Sequence, residues 1–456
     1  MMLNKRIDEL QEELLSSTQR LLKIRSLEGQ ALPGMPFGKE VNDALMEALK
    51  ISEELGFKTK NVDGYAGYAE YGDGDEYIGV LGHLDVVPEG SGWNHEPYGG
   101  EISDGKVWGR GSLDDKGPII AALYGLKAIK DLNLPLSKKV RIIFGTNEET
   151  GCGEIEYYLK KEKAPIMAFT PDAEFPIIYA EKGILNFTMH SDFSQSGNVI
   201  ISYIKGGERA NIVPGYCEAL VKGADRAILD SYIIQNRAAI DIEECEEGMI
   251  LKSHGVSAHG STPEKGKNAI MELILALNTL DIDGKAGIII DTLAHKIGRD
   301  VNGENIGAGL WDEPSGKLTL NAGVINMSET SLDFRIDIRY PVTKNKTEIL
   351  DGIENSLKKS EIEIKDIDEV GPLYFSKDHE LIKKLQKAYA EVTGFDSEPL
   401  AIGGGTYAKS MPNTVAFGPA FPGRGDLAHQ PNEYISIDDL MMSAKIYGRA
   451  IYELAK

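Results

Sequence analysis

Cysteine is scarce in this chain: Cys152, Cys217 and Cys245 are the only three among 456 residues. Three such thiols cannot build a disulfide framework, which argues against a small cross-linked secreted scaffold and for a reducing compartment, the cytoplasm. Long apolar runs are missing as well, none approaching the roughly 20 residues of a membrane span. The first 29 residues lack the apolar core of a signal peptide; Ile7, Leu10, Leu14, Leu21 and Ile24 mark an amphipathic helix instead. Basic residues are outnumbered, 49 Lys and Arg against 71 Asp and Glu, and the net charge of −22 would repel nucleic acid and anionic lipid alike. What is present is an ordinary globular composition, 42% hydrophobic and 26% charged, in a chain too long for one ordinary core.

Periodicity divides the chain. Residues 39–55 read as a helix closed by Gly56, 77–83 as a buried strand, 119–132 as a helix, 140–145 as a strand, 154–163 as a helix and 166–170 as a strand. This alternation predicts an α/β domain with a mostly parallel sheet, whose sites lie at the carboxyl ends of strands. From residue 183 strands (183–190, 199–204, 249–254, 318–327, 331–340) alternate with helices near 224–239, 268–280 and 344–359, the pattern of an α+β insertion with antiparallel strands. Its two halves each run strands and then a helix, compatible with a duplication. Helices return at 380–393 and 437–454. The expected organisation is a catalytic α/β domain in two parts, 1–182 and 374–456, around an inserted domain at 183–373.

Candidate chemistry collects at strand ends. His83 and Asp85 stand two apart where the buried strand finishes, so both can face one site, one as a metal ligand and the other as its orienting carboxylate. Asp114 and Asp115 form a glycine-flanked acidic pair before a helix; adjacent carboxylates repel unless a cation or proton separates them. Glu148 and Glu149 follow the strand at 140–145, one suited to bind metal and its neighbour to act as general base on the same water. Asp172 follows the next strand, and His429 stands near the C-terminus. Nitrogen and oxygen donors without thiolate suit zinc, with manganese or cobalt as alternatives. Five such ligands are too many for one catalytic zinc with an open position but suit two metals sharing a carboxylate.

Five segments together resemble the M20 metallopeptidases, and within them the PepV-like dipeptidases. They are Gly82-His83-Leu84-Asp85-Val86-Val87-Pro88, Asp114-Asp115-Lys116-Gly117-Pro118, Asn147-Glu148-Glu149-Thr150-Gly151, Thr170-Pro171-Asp172-Ala173-Glu174-Phe175-Pro176 and His429-Gln430-Pro431-Asn432-Glu433. The resemblance implies two Zn2+ ions, bridged by Asp114, with His83 and Asp172 on one and Glu149 and His429 on the other. It implies Glu148 as general base, Asp85 as the orienter of His83, and a cis Asp114–Asp115 peptide.

The middle region resembles the family's lid, and three positions there match substrate-binding segments: Asn211, His259 as a donor to the oxyanion, and Arg339 as partner of a free carboxylate. Gly404 and Gly405 would let the backbone approach the substrate. The implied activity is metal-dependent hydrolysis of dipeptides with free termini by a metal-activated water, in a chain whose long lid supplies His259 internally and so works as a monomer. The alternatives are an M20-type deacylase of N-acyl amino acids and a non-catalytic binding protein on the same scaffold.

Overall fold

The computed structural model describes residues 2–425 and 427–456; Met1, where the expected N-terminal helix begins, lies outside them. The chain divides into two units. One runs to Tyr179 and resumes over Phe375–Leu400 and Thr406–Lys456; the other comprises Ala180–Tyr374 and Ala401–Gly405. No helix among the described residues is long and apolar enough to cross a membrane.

The first unit starts with α1 (Met2–Glu9), α2 (Gln11–Leu22) and α3 (Lys39–Glu54), followed by β1 (Lys58–Val62), β2 (Ala66–Tyr71) and β3 (Tyr77–His83). One N-terminal helix was expected; the structure has two, broken at Leu10, and α2 stops at Leu22. The stop has a physical cause. The buried Lys116 ammonium takes the carbonyls of Leu21 and Ile24, and Ser26 is drawn to Leu84, donating its hydroxyl to that carbonyl at 2.5 Å. Residues past Leu22 are thus committed to the strand-end loops.

Next come α4 (Lys116–Asp131), β4 (Lys139–Gly145), α5 (Gly153–Lys161) and β5 (Met167–Thr170). Every position of β3 is buried, and it lies between β4 and β5, parallel to both. Central strands covered on both faces read as unbroken apolar runs, which is why Tyr77 to Gly82 shows no alternation. His83 pairs in register with Gly145, so β3 and β4 end level, at one carboxyl edge.

In the second unit β6 (Gly183–Asp192), β7 (Ile200–Gly206), β8 (Tyr216–Lys222), β9 (Ile240–Cys245), β10 (Gly248–His254), β11 (Thr319–Ser328), β12 (Ser331–Tyr340) and β13 (Glu363–Val370) form one antiparallel sheet, in the order β9-β10-β8-β7-β11-β12-β6-β13. Alternate residues of β6 and β12, among them Leu185, Phe187, Phe334, Ile336 and Ile338, enter a core shared with α6 (Arg226–Asn236), α7 (Ala269–Leu277), α8 (Gly284–Lys296) and α9 (Lys346–Leu357). Both segments of the expected duplication therefore share one continuous sheet.

The chain re-enters the first unit with α10 (Glu380–Thr393), β14 (Thr414–Ala416) and α11 (Ile437–Ala455). β14 joins parallel beside β5, giving the order β1-β2-β4-β3-β5-β14. α4 and α11 cross where Gly125 meets Gly448: a Cβ on Gly125 would stand 2.7 Å from the Gly448 nitrogen. That contact holds the helix whose first turn follows Asp114 and Asp115.

Candidate active site

The carboxyl ends of β3, β4 and β5 lie at one edge of the sheet and place three loops side by side, and α4 begins immediately after the acidic pair. His83 is fully buried, and its Nε2 lies 2.9 Å from Asp114 Oδ1. The second Asp114 oxygen lies 3.0 Å from His429 Nε2, which is also 3.2 Å from Glu149. Asp172 stands 3.9 Å from His83 Nε2. One carboxylate thus faces two histidines, each with a second acid beside it. Donor atoms of His83, Asp114 and Glu149 lie within 4.8 Å of one another, as do those of His83, Glu148 and Asp172.

The two aspartates of the pair do different things. The peptide between them is cis, and Asp115 is turned inward, where its Oδ2 accepts the His83 backbone N–H at 3.2 Å. Gly82 makes room for it: a Cβ there would meet Asp115 Oδ2 at 2.4 Å.

Asp85 supports the site by a route that spacing alone does not disclose. His83 Nδ1 is 2.9 Å from the Asp85 main-chain carbonyl and 3.6 Å from its carboxylate, so the carbonyl is the closer aiming group. The carboxylate instead accepts the backbone N–H groups of Glu148 (3.2 Å) and Glu149 (3.0 Å) and pins that turn.

Charge in the cluster is out of balance. Asp85, Asp114, Glu148, Glu149 and Asp172 face two imidazoles. Burial opposes charge on His83, but hydrogen bonds that its ring donates to Asp114 and Asp85 hold its pKa well above the ordinary imidazole value. Asp114 and Glu149 raise His429 to about 10. Burial, reinforced by neighbouring carboxylates, pushes Glu148 up to about 7 and raises Asp172 as well. Crowded acids that must take up protons, arranged about two imidazole nitrogens, form a donor set that fits divalent cations.

The second unit gathers the remaining candidates. The Asn211 and His259 loops are joined, Gly260 N–H donating to Asn211 O at 2.7 Å and Val213 N–H to Ala258 O at 2.9 Å. The buried Asn321 side chain donates to the carbonyls of Ala210 and Ile212, fixing the first loop from below. His259 Nδ1 accepts the Ser261 N–H, which leaves the proton of the neutral ring on Nε2. Burial and the nearby Arg339 charge both lower the His259 pKa and favour that neutral donor.

Arg339 is buried and its Nε and Nη2 donate to Asp337, at 2.7 and 3.1 Å, while Nη1 reaches the Gly403 carbonyl at 3.4 Å. The terminal edge of the fork keeps one N–H on each nitrogen. Asn211 and Arg339 line one cavity of about 800 Å³ together with Asp337 and Arg335. Gly404 and Gly405 stand in the short 401–405 segment, whose Gly403 lies against Ser261.

Sequence reasoning gave no role to Arg110, Lys116, Asp337, Asn321 and Glu433, although Lys116 and Glu433 stand within the segments quoted from it. Buried polar residues of this kind carry no periodic signal; only the glycines flanking Arg110 and the closeness of Glu433 to His429 marked two of them.

Residues 79–453 match the model of peptidase family M20/M25/M40. The chain is 43% identical over 455 residues to "Putative dipeptidase YtjP" of Bacillus subtilis, with 98% of each chain covered. It is 34% identical over 474 residues to "Putative dipeptidase SH1171" of Staphylococcus haemolyticus, with 99% of each chain covered. Among solved structures, aminoacylhistidine dipeptidase from Vibrio alginolyticus matches with TM-score 0.60 at 11% identity, over 97% of this chain and 96% of that one, a likeness of fold.

Proposed function

The chain belongs to peptidase family M20/M25/M40, and on that footing we propose that it is a metal-dependent dipeptidase acting on dipeptides with free termini. The observation that carries the reading is Asp114, whose two oxygens face His83 and His429 while Glu148 stands within the same cluster. His83 and Asp172 would hold one divalent ion, Glu149 and His429 another, and Asp114 both, zinc being the ion this donor set suits best. When bound, such ions supply the positive charge that polarises the scissile carbonyl and acidifies water.

The chain's own groups do the rest. Glu148, standing in the same cluster, accepts the proton of the attacking water and delivers it to the leaving amine. Asp85 keeps Glu148 and Glu149 in place through their N–H groups. Neutral His259 donates from Nε2 to the oxyanion of the tetrahedral intermediate. Arg339, held sideways by Asp337, offers its terminal edge to the free carboxylate of the dipeptide, with Asn211 in the same cavity. Gly404 and Gly405 leave the substrate backbone unobstructed.

The test is one purified sample assayed for metal content and for hydrolysis of dipeptides and N-acetyl amino acids, before and after chelation. Dipeptide cleavage that chelation abolishes and Zn2+ restores is the expected result. Cleavage of the acylated compounds in preference to dipeptides would move the chain to the deacylases, and chelator-resistant cleavage would remove the metals.

A further inference from the structure

Asp114 and His429 are far apart in sequence and come from different loops, yet one buried ion pair touches both loops. Glu433 is 0% exposed. One of its carboxylate oxygens accepts three backbone N–H groups, from Gly111 (3.1 Å), Leu113 (2.9 Å) and Asp114 itself (3.2 Å). The other accepts Arg110 Nη1 at 2.6 Å. Arg110, 1% exposed, turns its terminal nitrogens to carbonyls, Nη2 donating to His429 (3.2 Å) and Pro88 (3.4 Å) and Nη1 to Gln430 (3.4 Å), while its buried Nε has no partner among the described residues.

The backbone of His429 needs such a hold. Its φ is +63°, in the left-handed region that residues with a Cβ adopt only where their surroundings over-determine it. Asn432, at φ +61°, is tied down too: its Oδ1 accepts the Asn94 N–H at 2.6 Å and its Nδ2 donates to Gly92.

We propose that Arg110 and Glu433 are positioning residues that set the distance between Asp114 and His429, and hence the affinity of the metal position that His429 serves. The inference rests on the two-ion reading above. A pair that merely cemented the fold would need only opposite charges. This one needs a planar fork on one side, to reach Glu433 and the His429 carbonyl together, and a carboxylate on the other, to collect three convergent N–H groups. Both positions share Asp114, but only His429 has its own backbone held by the pair, while His83 is aimed by the Asp85 carbonyl, so the two metal positions depend on the pair unequally.

The test is titration of chelator-treated protein with Co2+, followed by visible absorption and by competition with a chelating dye, on wild type, Glu433→Gln and Arg110→Lys. Wild type should take two ions. Glu433→Gln should bind one of its two ions about 10- to 100-fold less tightly than wild type does, the other changing little, because supports behind metal ligands have effects of that size. Arg110→Lys keeps the positive charge beside Glu433 but cannot span to His429, so it should show the same selective loss with metal-free thermal stability near wild type. If Glu433→Gln does not fold, Arg110→Lys decides by the same readout. Unchanged affinities, or equal weakening of both positions, would overturn the inference while leaving the two-ion reading intact. Wild type that takes only one ion would overturn both.

Discussion

At Asp85 the backbone carbonyl aims His83 while the carboxylate holds the N–H groups of Glu148 and Glu149, so substitution separates the two jobs. Asp85→Ala keeps the carbonyl and loses the pin. Metal at the His83 position should be retained, while turnover falls by about 10- to 100-fold, the usual effect of removing an orienting partner; metal analysis and kcat on the same preparation check this. Glu154 supplies a titratable residue that is not itself one of the proposed ligands. It is fully buried, accepts the Tyr407 hydroxyl, and burial raises its pKa to about 7. Between the ordinary carboxyl value and 7 the folded protein keeps this proton and the unfolded chain has lost it. Stability from this group therefore falls as pH rises through that window and is flat above it. Glu154→Gln can still accept from Tyr407 but cannot ionise, so it should remove that part of the slope. Urea unfolding of metal-free protein at pH 5 and pH 8 should show the variant gaining on wild type, by on the order of 1–3 kcal/mol, at the higher pH.

Elements carry the next set of constraints. α4 and α11 approach so closely at Gly125 and Gly448 that a side chain has no room: the atoms nearest to a new Cβ on Gly125 are main chain, at 2.7 and 2.8 Å. Gly125→Leu should cost about 1–3 kcal/mol or more through overpacking. It should also weaken metal binding, since α4 begins directly after the acidic pair; calorimetry and metal content together check this. Legibility in the sequence follows the same physics. β3, β4 and β5 were readable because strands buried on both faces must be largely apolar, and their ends then located His83, Glu149 and Asp172, while Asp114 and His429 stand on loops away from those ends. β1, with only Val62 buried, and β13, Glu363–Val370, with none of its residues buried, escaped notice because nothing demands apolar residues there. α8 was missed behind Gly284 and Gly287, which weaken a helical pattern. Arg110 and Glu433 were given no role for a different reason: their importance lies in backbone groups they reach, and a sequence shows side chains only.

For the molecule as a whole, the open matter is how many chains one catalytic event requires. Each chain holds Glu148 in one unit and His259 in the other, and the length of the second unit is what motivates a monomeric enzyme. Glu148→Ala should retain metal and lose about 10²- to 10⁴-fold in turnover by losing its base. His259→Ala should lose about 10²- to 10³-fold by losing an oxyanion donor. If His259 serves its own chain, every molecule in an equimolar mixture of the two variants lacks one group, and the mixture should be no more active than the average of its components. If His259 acts on a neighbouring chain, mixed assemblies would pair an intact Glu148 with an intact His259 and activity would reappear well above that average. Measuring the mixture after prolonged co-incubation, beside its sedimentation behaviour, distinguishes the two; recovered activity would end the monomeric reading and leave the dipeptidase reading standing.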